Sequence, residues 1–163
     1  MRPMLRVAVA LGCLCLLLCL LPGPRAIAQT ATGPAPATAE PLTIQSRNGP
    51  HRFEVEVMRD DSGRSRGLMF RRHMAPDRGM LFDFERDETV TMWMKNTYLA
   101  LDMLFIRPDG TVSRIAADTE PLSTAIIPSG GPALAVLELN AGTAARLGMQ
   151  VGDRVEHPLF KQR

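Results

Sequence analysis

One short run of this sequence, Trp93-Met94-Lys95-Asn96-Thr97, with Asp102 a few residues on, gathers side chains able to recognise or act on a ligand. Lysine carries a compact ammonium whose pKa moves on burial, asparagine and threonine supply neutral donors and acceptors, and Asp102 can balance the charge. Composition singles the lysine out. After residue 28 the chain has 16 basic residues, 14 of them arginine, and its only lysines are Lys95 and Lys161. Trp93, Lys95, Asn96, Thr97 and Asp102 are therefore the candidate ligand-binding residues. A second use of the same residues is catalytic, with Lys95 and Asp102 as a charge-coupled pair acting on an envelope glycan or peptide. A plainer use stands beside both: Asn96 and Thr97 shape a turn, Asp102 accepts its backbone amides, and Trp93 covers core.

Other chemistry is less well supported by spacing. Met92-Trp93-Met94 and His73-Met74 contain the soft ligands a Cu(I) carrier would use. Residues two apart on a strand share a face, however, so Val90, Met92 and Met94 are expected against the core, with Thr91, Trp93 and Lys95 opposite. His51, His73 and His157 are scattered without ligand spacing, and neither a metal site nor a cofactor is expected. Gly63-Arg64-Ser65-Arg66-Gly67 matches the G-x-S-x-G pattern of hydrolases, but Asp60, Asp61 and Ser62 separate it from the preceding strand and both variable positions are arginine. It reads as an arginine-bearing surface helix. Asn140 to Val155 resembles the helix-turn-strand unit of PDZ domains, yet nothing else in the chain is placed as such a domain requires.

The elements that must position these residues follow from patterning. Arg2 and Arg6, the apolar run Val7 to Leu21 and the small-x-small triplet Ala26-Ile27-Ala28 read as a secretory signal over residues 1–28, with export to the periplasm and Gln29 as the new N-terminus. The apolar run is shorter than the roughly 20 residues that span a bilayer, so no spanning segment is expected in the mature chain. Cys13, Cys15 and Cys19 all lie in this segment, which leaves the mature chain without disulfides or thiolate chemistry. It also leaves 16 basic against 17 acidic groups, 16 − 17 = −1, which excludes a basic footprint for nucleic acid. Residues 29–41 are rich in Ala, Thr and Pro and are expected to be a disordered tether.

From residue 42 to 163 a single mostly β domain of α+β class is expected. Leu42–Ser46 and Phe53–Met58 form a hairpin around Asn48-Gly49, and Asp60 or Asp61 caps a short helix ended by Gly67. Gly79–Phe84 and Thr89–Met94 are two apolar runs. Leu101–Ile106 and Val112–Ala116 flank the turn Pro108-Asp109-Gly110, Ala133–Leu139 is a strand, Ala141–Leu147 a second short helix, and Arg154–Glu156 a last strand. Short connections point to a compact curled antiparallel or barrel-like sheet with two short helices. If Thr89–Lys95 and Leu101–Ile106 pair directly, Asp102 needs the Lys95 ammonium or an amide of Asn96 to Tyr98 to satisfy it.

The run Arg64, Gly67-Leu68-Met69-Phe70-Arg71, Gly79-Met80-Leu81-Phe82, Trp93-Met94-Lys95-Asn96-Thr97, Leu101-Asp102, Asp109-Gly110 and Leu137-Glu138-Leu139 with Ala141-Gly142 resembles the bacterial and archaeal family called domain of unknown function 192. The resemblance implies a compact β-rich domain, often exported, with no established activity, substrate or cofactor. Gly63 stands where the family usually has Glu, which could leave Arg64 short of a partner, and Ala100 stands where it usually has Pro. The expected role is an exported envelope module that binds a small ligand or an envelope partner through residues 93–97, with the enzyme and the copper carrier as alternatives.

Overall fold

The computed structural model describes residues 39–161. Seven strands, β1 (Ala39–Ser46), β2 (Gly49–Met58), β3 (Arg78–Met92), β4 (Leu101–Ile106), β5 (Val112–Thr119), β6 (Ile127–Asn140) and β7 (Arg154–Glu156), form one sheet in the order β5-β4-β6-β3-β2-β1-β7. Three short helices, α1 (Asp61–Arg66), α2 (Thr143–Leu147) and α3 (Pro158–Lys161), decorate it, one more than patterning suggested. The two edges of the curled sheet meet where Val112 N–H donates to Asp153 O (2.9 Å) and Val155 N–H to Gly110 O (2.8 Å).

The expected hairpins are present, and so are informative departures. β1 begins at Ala39, so residues 39–41 belong to the sheet and not to the tether. Glu40 there pairs with Arg59 at 2.8 Å and lies 3.3 Å from His157 Nε2. The signal expected over residues 1–28 and residues 29–38 of the expected tether lie outside the described residues. β2 and β3 are parallel, because residues 59–77, with α1 in them, cross over and bring the chain back in the same direction. The two apolar runs 79–84 and 89–94 are not separate strands: residues 78–92 form the single strand β3, bulged between Asp83 and Glu88.

Alternation along the strands separates two cores. Leu81, Leu104, Ile106, Leu134 and Leu137 face one side with Ile44, Phe53 and Val55. Met80, Phe82, Leu101, Met103, Phe105 and Val136 face the other, where Leu68 from the crossover and Met94 close over them. Both faces of the central strands are thus buried, which explains why Met103 to Ile106 of β4 and Ala133 to Leu137 of β6 read as continuous apolar runs.

Candidate functional site

The second core contains one residue that does not belong in an apolar interior. Glu138 of β6 is directly opposite Met80 of β3 on one side and Met103 of β4 on the other, so its carboxyl rises from the sheet between two methionines. It is only 4 % exposed. No hydrogen-bond or ion-pair partner is present for it among the described residues, and burial alone pushes its pKa up to about 8. At neutral pH the group is therefore mainly the uncharged acid, able to donate one proton and to accept. Strongly shifted carboxyls in clefts concentrate at functional sites.

Glu138 forms part of the floor of a cleft of about 190 Å³ walled by Leu68, Met69, Phe82, Phe84, Met92 and Trp93, with Arg64, Arg66 and Thr97 at its margins. A dry cavity of about 150 Å³ already accommodates benzene, so this volume suits a small ligand. Local sequence explains the walls. Asp60 caps α1 by accepting from Gly63 N–H at 2.7 Å, and Gly67 ends the helix with φ 45°, where a Cβ would lie 3.0 Å from the Phe82 ring. Gly79 allows β6 to approach β3 beside Glu138: a Cβ there would lie 2.8 Å from Glu138 O. Arg64 ties α1 to the bulge of β3, donating to Arg59 O (2.8 Å) and Asp83 O (2.7 Å) and pairing with Asp61 and Glu85. The glycine at position 63 has not left this arginine without partners.

The segment 93–97 is the lip of the cleft rather than the end of a strand. Asn96 has φ 57°, and Thr97 N–H donates to Met94 O at 3.0 Å, closing a turn. Phe70 and Leu122, both at φ 64°, dock on this turn through Phe70 N–H to Asn96 O (2.8 Å) and Leu122 N–H to Thr97 O (3.0 Å). Left-handed backbone is uncommon for residues of these types and gathers at functional sites. The Phe70, Trp93, Tyr98 and Leu122 side chains all stand exposed. Arg72 stacks over Tyr98 at 4.7 Å, and the Lys95 ammonium lies 5.4 Å from the Trp93 ring centroid.

Of the five residues expected to form a ligand site, Trp93 and Thr97 line the cleft, Lys95 is at the exposed lip over Trp93, and Asn96 points its amide nitrogen at Met69 Sδ (3.9 Å). Asp102 is not among them. β6 lies between β3 and β4, so the expected pairing of 89–95 with 101–106 does not occur, and Asp102 faces Leu139 instead. Alternating with Leu101 and Met103, its side chain points away from the second core and the cleft. There it is fully buried and accepts from the amides of Asp118 (2.9 Å), Gly142 (3.2 Å) and Ala144 (2.8 Å). It substitutes for the side-chain cap that Gly142 cannot give α2. The need for a partner was read correctly, but the amides are not those of residues 96–98. A Lys95/Asp102 couple is thereby excluded.

Val90 and Met94 are buried on the second core as alternation required, while Met92 is half-buried because it also walls the cleft. Glu138 was not among the expected site residues. Its signal was an acidic side chain inside the otherwise apolar run Ala133 to Leu139.

The sequence pattern of the family described as Uncharacterized ACR, domain of unknown function 192, matches residues 42–157. The chain belongs to this family. Two solved structures share the family's fold with it. A Sinorhizobium meliloti protein described as a candidate transcription regulator is 52 % identical, with a TM-score of 0.74 over 76 % of this chain and 97 % of that one. A protein of unknown function from Novosphingobium aromaticivorans is 39 % identical, with a TM-score of 0.73 over 78 % of this chain and 91 % of its own. No match is found among curated proteins.

Proposed function

We propose that this member of domain of unknown function 192 is an exported, non-catalytic binding module whose small ligand occupies the cleft between Trp93 and Glu138. The observation that carries the reading is the Glu138 carboxyl, which has no hydrogen-bond or ion-pair partner among the described residues and opens only onto the mainly apolar cleft. Stability alone gives no reason to keep an acid here, since the apolar surroundings disfavour its charged form. A ligand polar atom within hydrogen-bond reach of Glu138 supplies the missing partner, and Trp93, Met69 and Phe84 supply the apolar contact that dominates most small-molecule sites. The catalytic alternative paired Lys95 with Asp102, and Asp102 points to the other face of the sheet.

Export rests on the Arg2/Arg6, Val7–Leu21 and Ala26-Ile27-Ala28 sequence features and on a mature chain without cysteine. The description of the Sinorhizobium protein as a transcription regulator carries no weight here, because the mature chain has no basic excess with which to hold DNA.

A fragment screen read by two-dimensional nuclear magnetic resonance on the mature domain tests the reading. Hits should shift resonances of residues 64–69 and 91–97 together, and Glu138→Leu, which removes the polar group and keeps the bulk, should abolish them. Hits confined to other faces, or chemical conversion of a bound fragment, would overturn it.

A further inference from the structure

Six large apolar side chains stand exposed among the described residues, and five of them, Phe70, Trp93, Tyr98, Leu122 and Ile126, gather around the turn at 94–97. Backbone bonds fix the gathering. Phe70 and Leu122 are tied to Asn96 O and Thr97 O, Met94 N–H donates to Ser123 O at 3.1 Å, and Ile126 precedes Ile127, which lies opposite Met92. These five side chains are 40–59 % exposed and come from three separate stretches of chain. A contiguous exposed apolar patch of this kind marks a contact surface.

Charge is placed as unevenly as the apolar surface. The stretches that build this end, residues 62–76, 89–101 and 121–132, contain Arg64, Arg66, Arg71, Arg72 and Lys95 and no acid. The rest of the chain after residue 28 therefore holds 16 − 5 = 11 basic against 17 acidic groups. Arg64 is neutralised by Asp61 and Glu85, and Arg71 by Glu56. Arg66, Arg72 and Lys95 are exposed and have no ion pair among the described residues. Glu120, at the foot of the loop that carries Leu122, offsets one of the three and leaves an excess of two. Cations and rings are interleaved, with Arg72 over Tyr98 and Lys95 over Trp93.

We propose that this end of the domain docks on a lipid bilayer with anionic head groups, Phe70, Leu122 and Ile126 entering the acyl boundary and Arg66, Arg72 and Lys95 meeting the phosphates. A bilayer surface sets negative charge directly above apolar chains, and indole and phenol rings such as Trp93 and Tyr98 concentrate at that boundary. A second copy of the chain fits less well, since a two-fold contact would set the same uncompensated cations against one another. Duplex DNA would meet the cations but leave the side chains of Leu122 and Ile126 without apolar cover. The surface goes beyond the ligand reading of the cleft, because Phe70, Tyr98, Leu122 and Ile126 line no part of that cleft.

The mature domain is mixed with vesicles of phosphatidylcholine alone, or of phosphatidylcholine and phosphatidylglycerol in equal parts. Binding is read by sedimentation and by the emission of Trp93, the only tryptophan of the chain. At about fivefold per uncompensated cation, the excess of two gives about twenty-five-fold tighter binding to the anionic vesicles, a preference that salt should erode. Trp93 emission should shift to shorter wavelength and be quenched by brominated acyl chains, a readout on the wild type that needs no variant. Phe70→Asn with Leu122→Asn removes two apolar tips at positions whose φ of 64° asparagine accepts, so the melting temperature should be kept. Vesicle binding by this double variant should fall at least about tenfold. Absence of binding to either vesicle, equal binding to both, sedimentation without quenching, or a folded double variant that binds as the wild type does would overturn the proposal. So would wild-type dimerisation that the double variant loses, or tighter binding to duplex DNA than to the anionic vesicles.

Discussion

Replacing Glu138 by Gln removes one titration and keeps the shape of the side chain, so the difference between the two proteins isolates that group. In the folded domain the carboxyl has its pKa pushed up to about 8 by burial, against the ordinary value of 4.5 that the unfolded chain retains. Below pH 4.5 both states are protonated and the group contributes no slope. Between 4.5 and 8 the unfolded chain has released the proton and the folded domain has not, so the folded state binds more protons and stability falls as pH rises. Above 8 both are ionised and the slope vanishes. Three to four pH units at about 1.4 kcal/mol each give a loss on the order of 5 kcal/mol, a large fraction of the stability of an ordinary domain. Urea unfolding of wild type and Glu138→Gln, followed by circular dichroism at pH 5, 6.5 and 8, measures the difference directly, other groups cancelling between the proteins. The two should be nearly equal at pH 5, and the wild type weaker by several kcal/mol at pH 8. A difference independent of pH would refute the argument, since it would mean that Glu138 ionises in the folded domain as easily as in the unfolded one.

Further outcomes follow from the same structure. Asp102→Ala should destabilise by about 3 kcal/mol in chemical denaturation, because the buried amides of Asp118, Gly142 and Ala144 lose their acceptor; a change within about 0.5 kcal/mol would contradict the capping role. Lys95→Ala should leave the melting temperature unchanged, as substitutions at exposed positions do, and a drop matching that of Asp102→Ala would make Lys95 structural. Cu(I) titration should give no stoichiometric site, the methionines being packed as core and cleft wall; tight one-to-one binding lost in Met94→Ala would make the protein a metal carrier. The exported protein should begin at Gln29 by intact mass and melt at the same temperature with or without dithiothreitol, whereas retention of residues 1–28 or sensitivity to reductant would defeat the signal assignment.

How far the sequence carried can be judged residue by residue. Turn chemistry was local and legible: Asn48-Gly49, Pro108-Asp109-Gly110, the Asp60 cap and Gly67 each act within a few residues, and each does what its type implies. Strand order was not legible, because β6 inserts between β3 and β4 from later in the chain, and nothing near Asp102 announces that its neighbour is Leu139. The parallel β2–β3 pair was hidden for the same reason, its crossover being mostly irregular chain with only one short helix. Trp93 and Thr97 were found through their own chemistry, whereas Glu138 acquires its character from burial between Met80 and Met103, a property of the sheet and not of the residues beside it in sequence. An acid in an apolar run is the one local trace such a site leaves.

Where a ligand sits is the most direct question to put to this account. A crystal structure of the mature domain with the tightest-binding fragment should show it between Trp93 and Glu138, with a polar atom within about 3.2 Å of the carboxyl. A ligand seated beside Asp102, or bound to the lip with the cleft empty and Glu138 still without a partner, would contradict it.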